Sequence, residues 1–361
     1  MREERVTPGA LGVLMYCALL APMFRVAPGA GAAPAREGGW LSPLPALLVL
    51  LLPVWVLIRT CRILPEGEGL SRIYTLAFGK GAGRLVTGVT GVWALVTAAA
   101  ALRYYSESIV ASVYQNTGIW VFLLGVMLVA WRAGTLGMEA LCRLAKAYLM
   151  IAGTVLALVL LMSVREVQGA YLIPFWTGGW RGMLESALPI LGVQAPVMLI
   201  LFRRTQAAAQ SAGGRVLTLW LAGSCLTMMA VRGAVIGMFG WQTAVRLQTP
   251  LFSTAKEVYL LEVFERIEAL VVAVWVLTDI IWIAALLLSA SDYVAESLGR
   301  KEGGALTAIL ALVILLLSAW SEGDAFQVRW VLVHVVQYVN LAVCLVLPVA
   351  GCALARVRGK I

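Results

Sequence analysis

Residues 265–290 read ERIEALVVAVWVLTDIIWIAALLLSA, and this run is the clearest indication of the fold class. After its charged start, Asp279 is its only charged residue. A helix of this length, rising about 1.5 Å per residue, spans the ~30 Å hydrocarbon core of a bilayer. Lipid offers backbone groups no hydrogen-bonding partner, so such a segment must be helical inside a membrane. The stretch therefore predicts a transmembrane helix.

Similar stretches recur along the whole chain. Of its 361 residues, 61% are hydrophobic and 13% are charged, against about 45–50% and about 25% in soluble domains. No segment between the stretches is long enough to bury a core of its own. We therefore predict an all-α integral membrane protein, folded as a single polytopic domain over residues 1–361. The ten predicted helices cover residues 8–31, 40–62, 84–113, 117–134, 140–163, 182–203, 214–241, 265–290, 304–320 and 330–355.

The distribution of charge predicts the orientation. The net charge is +9, and the basic residues lie mostly between the apolar stretches. With the N-terminus inside, eighteen of the 28 lysines and arginines fall on cytoplasmic segments, seven on outer segments and three within helices. This asymmetry favours ten crossings of the cell membrane with both termini cytoplasmic. Nucleic-acid binding is excluded, because the sequence has no basic helix with interleaved aromatic residues and no zinc-finger spacing.

Ten helices can form two five-helix repeats of opposite topology, as in many secondary transporters. The repeats would cover about residues 6–163 and 172–357. Helix one carries Pro22 and Pro28, and helix six carries Pro189 and Pro196. Because proline removes a backbone donor and clashes with the preceding turn, we predict breaks in both helices. An ordinary kink is the alternative, since proline is frequent in membrane helices.

Ionisable residues inside a membrane are costly, which makes them candidates for function. Helix eight carries the densest set, on one face built from steps of three or four residues. Asp279 lies on this face near mid-membrane, where a carboxyl group must be paired or neutral. It could bind a proton, a cation or an ammonium group, or only form a hydrogen bond with a neighbouring helix. The face comprises Glu265, Glu268, Val272, Trp275, Asp279 and Trp282.

Three other helices carry polar residues, each of which could have a structural role or a binding role. In helix three, Arg103 and Glu107 are four residues apart and could neutralise each other, or form a binding patch with Tyr104. Arg25 in helix one could hold a carboxylate or extend to the outer interface. Arg232 in helix seven could also bind a ligand, but the length of that helix favours a position near the surface.

No enzyme motif is present. The chain has no P-loop, no His-Glu-x-x-His and no Gly-x-Ser-x-Gly, so we predict no catalysis and no cofactor. His334 is the single histidine and the six cysteines are dispersed, so neither a metal site nor a disulfide framework is expected. Between helices seven and eight, an amphipathic run at 254–264 predicts a short helix over the outer face. It would be a lid or a plain interfacial helix.

Several segments together resemble one family. The most specific is Phe264-Glu265-Arg266-Ile267-Glu268, followed by Trp275, which is similar to a signature that opens helix eight in spore germination permeases of the GerAB type. These belong to the amino acid–polyamine–organocation transporter superfamily. The chain departs from the family at Gly39, where an aspartate is usual. Weaker matches, in the same order and spacing, are Val6-Thr7-Pro8, Leu20-Ala21-Pro22, Gly39-Trp40-Leu41-Ser42, Phe78-Gly79-Lys80, Leu172-Ile173-Pro174-Phe175 and Gly178-Gly179-Trp180.

The resemblance implies a LeuT-like fold of two inverted repeats with broken helices one and six. It also implies a spore inner-membrane subunit that recognises a small germinant, usually an amino acid, beside a larger membrane subunit and a lipoprotein. We predict such a permease-like germinant-receptor subunit. A proton- or cation-coupled amino-acid transporter is the alternative, and a channel-like subunit is a third, because fold alone does not separate them.

By the same resemblance, the ligand would lie between helices one and six, walled by helices three and eight. Backbone amides around 19–22 and 191–194 would hold its carboxylate, since helix N-termini favour anions. Asp279 or Glu107 would meet its ammonium group. The predicted binding residues are Leu20, Ala21, Pro22, Arg25, Tyr104, Glu107, Gly192, Gln194, Trp275 and Asp279.

Overall fold

A computed structural model describes residues 6–25, 29, 31–65, 67–204, 213–247, 249–257, 267–300, 303–320 and 325–360. Every regular element in these ranges is helical. The long helices are α1 (Pro8–Arg25), α2 (Pro43–Cys61), α3 (Lys80–Ser112), α4 (Ile119–Thr135), α5 (Met138–Ser163), α6 (Gly179–Gln194 and Val197–Leu201), α7 (Gly213–Arg246), α8 (Ile267–Ser297), α9 (Gly304–Trp320) and α10 (Ala325–Val331, Leu332–Val336, Gln337–Asn340, Leu341–Val346 and Leu347–Val357). Short helices cover Ala32–Ala35, Arg36–Leu41, Leu70–Phe78, Gly169–Tyr171 and Pro250–Glu257.

Each predicted stretch contains a helix. Within the described ranges, seven helices are long and apolar enough to cross a membrane, and α1, α4 and α9 are shorter apolar helices. Many large apolar side chains are exposed on the surface of the helix bundle, including Leu48, Leu52 and Leu128. Such a surface is rare on soluble monomers and is what lipid would cover. The chain is a multi-span membrane protein, and its ten crossings stay a prediction.

The centre of the bundle is formed by α1, α8 and the second segment of α6. Leu14, Leu19 and Leu20 of α1 are fully buried, and so are the consecutive residues 283–287 of α8. A helix that is apolar on all sides is stable when other helices surround it. Accordingly α8 packs against α1, α3, α4 and α5. These central helices set the position of the cavity described below.

The predicted break at Ala21–Pro22 is wrong. Helix α1 continues through Pro22 and ends at Arg25, and the short helix Ala32–Ala35 follows. Tight packing explains the continuity, because Leu20 and Ala21 are fully buried and neighbouring helices hold the chain where one backbone bond is lost. Amides at 19–22 are therefore interior helical amides, so the half-helix start expected there is not formed. The second predicted break, at Pro28, lies outside the described residues.

Helix α6 is interrupted. Its first segment ends at Gln194, Ala195 and Pro196 form a turn, and the helix resumes at Val197. The Ala195 amide still donates to the Leu191 oxygen at 2.8 Å. Pro196 has no N–H, so the carbonyl four residues earlier, that of Gly192, has no donor within the helix.

The short helix predicted to lie over the outer face, called the outer helix below, is located between α7 and α8. It begins earlier than predicted. It covers Pro250–Glu257, because proline is well suited to the first helical position. Its Leu251, Phe252 and Ala255 are buried against α8 and neighbouring helices. The expected segment 254–264 lies mostly outside the described residues, and so do Phe264, Glu265 and Arg266. Ile267 and Glu268 form the start of α8, without described side chains.

Candidate functional site

A cavity of about 50 Å³ lies at the level of Pro22, where five helices meet. It can hold a few water molecules, since each needs about 10–15 Å³ of such volume. None of its lining residues is charged. They are Ala21 and Pro22 from α1, Thr97, Ala101 and Tyr104 from α3, Val193 from α6, Trp282 from α8, and Leu332, Val336 and Asn340 from α10.

Three predicted binding residues, Ala21, Pro22 and Tyr104, line this cavity. Leu20 and Gln194 are buried next to lining residues without lining it themselves. The side chain of Arg25 lies outside the described part of the chain. Helix α10 was not predicted to contribute, although it supplies three of the lining residues.

Asn340 connects three helices at the cavity wall. Its Oδ1 accepts from the Trp93 indole N–H at 2.8 Å and from the Thr97 hydroxyl at 3.3 Å, both on α3. Its Nδ2 donates to the Gly192 oxygen on α6 at 2.8 Å. This is the carbonyl left without a helical donor by Pro196. The asparagine therefore satisfies a backbone group that the helix interruption exposes.

Gly192 is a packing residue rather than a lining residue. A Cβ atom at this position would lie 2.4 Å from Cβ of Gln337, so only glycine allows α6 and α10 to approach this closely. Gln337 follows the cavity-lining Val336 and is 4% exposed. Among the described residues, its Oε1 accepts no hydrogen bond. A buried acceptor without a hydrogen bond lowers the free energy of unfolding by about 1–3 kcal/mol.

The structure separates Glu107 from the cavity lining. Its carboxylate pairs with Arg103 at 2.6 Å within α3, the pairing that the spacing of four residues predicts. Arg103 also donates to the Ser318 oxygen on α9 at 3.4 Å. The pair therefore connects α3 with α9, and the expected contact of Glu107 with a ligand ammonium group is not set up in this arrangement.

The tryptophans of α8 have different surroundings. Trp275, predicted to bind the ligand, packs against Phe252 of the outer helix, with ring centroids 6.1 Å apart. Trp282, two turns further along the same face, lines the cavity instead. Asp279 is fully buried between them. Asp279 does not line the cavity, but it lies three residues before Trp282, which does.

Arg232 does not lie near the surface as expected. Its side chain is fully buried, and its guanidinium donates to the Ser186 hydroxyl of α6 at 3.2 Å. A Cβ atom on Gly39 would lie 3.5 Å from Nη2 of this arginine. The aspartate usual at position 39 in the family that the chain resembles would thus lie beside the guanidinium.

The side predicted to be cytoplasmic is closed by ion pairs. Arg203, directly after α6, pairs with Asp292 of α8, and both are buried. Arg204 lies 3.5 Å from the other carboxylate oxygen of Asp292. Breaking a buried pair is costly because it leaves an uncompensated charge. The pairs therefore fasten the second segment of α6 to α8 on this side of the cavity.

The opposite side is held together around Glu37. Its carboxylate accepts from the Thr177 hydroxyl before α6 and from the Trp241 indole N–H of α7 at 3.2 Å. Burial alone would raise the pKa of Glu37. These hydrogen bonds, with a backbone hydrogen bond and the charge of Arg36, outweigh it, and the pKa lies below its ordinary value. The ionised form is therefore favoured in the folded protein.

The architecture is that of a membrane transporter. Among solved structures, one described as the substrate-bound outward-open state of a Na⁺-coupled sialic acid symporter superposes with a TM-score of 0.65. The two chains share 13% identity over 94% of this chain and 76% of the other. At this identity, the likeness concerns the fold alone.

The family is narrower than the fold. The sequence profile of the spore permeases, described as spore germination proteins, matches residues 5–326. The chain therefore belongs to the spore germination protein family, and the resemblance found in its sequence is confirmed. It is a membrane protein with a permease-like role in spore germination. A search of curated proteins gave no match.

Proposed function

We propose that this protein is the permease-like subunit of a spore germinant receptor and binds an amino acid as germinant. The observation that carries the proposal is the cavity where α1, α3, α6, α8 and α10 meet, in a chain of the spore germination family. Small-molecule sites are concave, mostly apolar and furnished with a few polar groups, and this cavity combines such features.

The lining favours a small ligand without net charge. Its walls are apolar at Ala21, Val193 and Val336, and polar at Thr97 and Asn340. Because no lining side chain is charged, a ligand with net charge would lose its hydration without a counter-charge in contact. A zwitterionic amino acid has no net charge, and its two charged groups can be met by hydroxyl, amide and backbone dipoles.

Ligand entry would require the cavity to expand, since its volume of about 50 Å³ is well below the volume of about 300–1,000 Å³ that is usual for small-molecule sites. The element suited to move is α10. Two π-helical segments, Leu332–Val336 and Leu341–Val346, lie on either side of Asn340, and π-helical turns are frequent at functional sites. Displacement of α10 would move Leu332 and Val336 away from Pro22. Binding would then favour the expanded arrangement over the present one.

A cavity-filling variant tests the proposal. Purified protein in lipid nanodiscs would be heated in the presence of each proteinogenic amino acid. At least one should raise the unfolding temperature of the wild type. Ala101→Phe, which fills the cavity, should abolish this response. Ala147→Phe, on the exposed face of α5, is the matched control and should keep it. Absence of any response in the wild type, or a normal response in Ala101→Phe, would overturn the proposal.

A coupled transporter is the second candidate. It is favoured by Asp279, a fully buried carboxyl group in α8, and by the transporter fold. Amino-acid uptake into proteoliposomes driven by a proton or sodium gradient would support it, provided that Asp279→Asn abolished the dependence on the gradient. Binding without uptake would support the receptor alone. Failure of every amino acid to bind would instead favour a channel-like subunit.

The receptor would act in the inner membrane of the spore, with both termini in the cytoplasm. Its partners would be a larger membrane subunit and a lipoprotein. The resemblance of the sequence to the GerAB-type permeases implies this assembly. Affinity purification of a tagged chain from spore membranes should recover both partners, and recovery of the tagged chain alone would contradict the assembly.

A further inference from the structure

We propose that a second pocket, on the side predicted to be cytoplasmic, binds a small anion through its phosphate group. The pocket has a volume of about 380 Å³, several times that of the central cavity and within the range of small-molecule sites. Its walls come from the short helix Leu70–Phe78 with the segment before it, the first turns of α3, and the end of α8. The proposal does not depend on the function of the central cavity.

The lining carries an excess of positive charge. Arg72, Lys80 and Arg84 face the carboxylates of Glu68 and Glu296. Arg72 and Glu68 neutralise each other in an ion pair of 3.1 Å. In the described part of the chain, neither Lys80 nor Arg84 takes part in an ion pair. Among the described lining residues, Glu296 is thus the one carboxylate left against two cations.

The position of these two cations calls for an anion. Lys80 and Arg84 are four residues apart, and like charges at this spacing repel each other. Lys80 also lies in the first turn of α3, where the helix dipole is positive and disfavours a cation. A phosphate group would reverse both effects, because guanidinium, ammonium and helix-terminal amides all bind phosphate.

The pocket is connected to the closed side of the bundle. Gly69 lies against the chain after α6, since a Cβ atom there would be 1.9 Å from the Arg203 oxygen. The Leu70 amide donates to the Phe202 oxygen at 3.0 Å. Glu296 is four residues beyond Asp292, the ion-pair partner of Arg203. An anion that bridges the pocket walls would therefore stabilise the arrangement in which α6 and α8 are fastened together.

Thermal unfolding in nanodiscs tests the site, because a ligand bound to the folded state raises stability in a saturable way. Sodium phosphate would be titrated at constant ionic strength in phosphatidylcholine nanodiscs. A second series would replace part of the lipid by phosphatidylglycerol, without free phosphate. A response to free phosphate identifies a soluble phosphate compound as the ligand class, and a response only to phosphatidylglycerol identifies a lipid headgroup.

Three variants are expected to differ in their response to phosphate. Lys80→Gln with Arg84→Gln should weaken the response at least tenfold in concentration. Glu296→Gln removes the remaining carboxylate and should strengthen it several-fold. Lys146→Gln with Lys360→Gln makes the same charge change on exposed residues outside the pocket and should leave it unchanged. The inference is overturned if the wild type responds to neither phosphate nor phosphatidylglycerol, or if all four proteins respond alike.

Discussion

Asn340 donates a hydrogen bond of 2.8 Å to the backbone oxygen of Gly192, the carbonyl that Pro196 leaves without a donor in α6. The interaction joins the interruption of α6 to the α-helical turn between the two π-helical segments of α10. One side chain thereby compensates a local defect in one helix and fixes the position of another. The cavity lies at the junction that it holds.

Replacing Asn340 should lower the free energy of unfolding. The size of the loss should depend on whether Pro196 is present. Asn340→Leu leaves the Gly192 oxygen and the Trp93 N–H without their partner, at about 1–3 kcal/mol for each buried group. Pro196→Ala supplies a backbone N–H that the Gly192 oxygen can accept. We therefore expect Asn340→Leu to cost about 1 kcal/mol less in the Pro196→Ala background.

Unfolding free energies of the four proteins in detergent measure this coupling. Wild type and the two single variants complete the cycle with the double variant. Strict additivity of the two changes would mean that the Asn340–Gly192 bond does not replace the missing helical donor.

Gly192→Ala should separate α6 from α10. The added methyl group would lie 2.4 Å from Cβ of Gln337, which no rotamer of either residue can relieve. Overpacking of this kind costs about 1–3 kcal/mol. Gly153→Ala in α5 is the matched control, because nothing lies within 4 Å of its added atom and alanine is the better helix former. Thermal unfolding should show a loss for the first and none for the second. Equal behaviour would contradict the close approach of the two helices.

Glu37 should make stability depend on acidity. Its folded-state pKa is lowered, so its contribution is present above the ordinary carboxyl pKa of about 4.3 and is lost as pH falls through the lowered value. Glu37→Gln should remove this part of the acid destabilisation. The control Glu166→Gln changes an exposed residue. The unfolding temperature measured from pH 7 to pH 3 tests both. If the unfolding temperature of Glu37→Gln depended on pH as that of the wild type does, the ionised Glu37 carboxylate would not contribute to stability through its contacts.

The helices were predictable because each depends on a property of its own segment. The run at 265–290 must be helical in a membrane whatever surrounds it, and the Arg103–Glu107 pair follows from helical spacing alone. The structure agrees with the first from Ile267 onward, within α8, and with the second in the Arg103–Glu107 ion pair. The interruption of helix six was likewise visible at Pro196, because the lost donor belongs to that residue.

The site was less predictable because its residues are defined by neighbours on other helices. Asn340 is uncharged and lies inside an apolar run, and nothing local indicates that Pro196, distant in sequence, creates its partner. Trp275 and Trp282 share one face of α8, but Trp275 packs against Phe252 and Trp282 lines the cavity. Both surroundings depend on other segments of the chain. Arg232 was misplaced for the same reason, since its depth depends on how α7 packs beside Ser186.

Recognition of the germinant in the central cavity can be tested by germination of spores in which this is the sole germinant receptor. Spores with the wild-type chain, Ala101→Phe or Ala147→Phe would be exposed to a panel of amino acids, and release of core solutes would be followed. Immunoblots of the inner membrane would establish equal amounts of the three chains. Wild type and Ala147→Phe should respond to the same amino acids, and Ala101→Phe should not respond. A normal response of Ala101→Phe would show that the germinant is not recognised in this cavity.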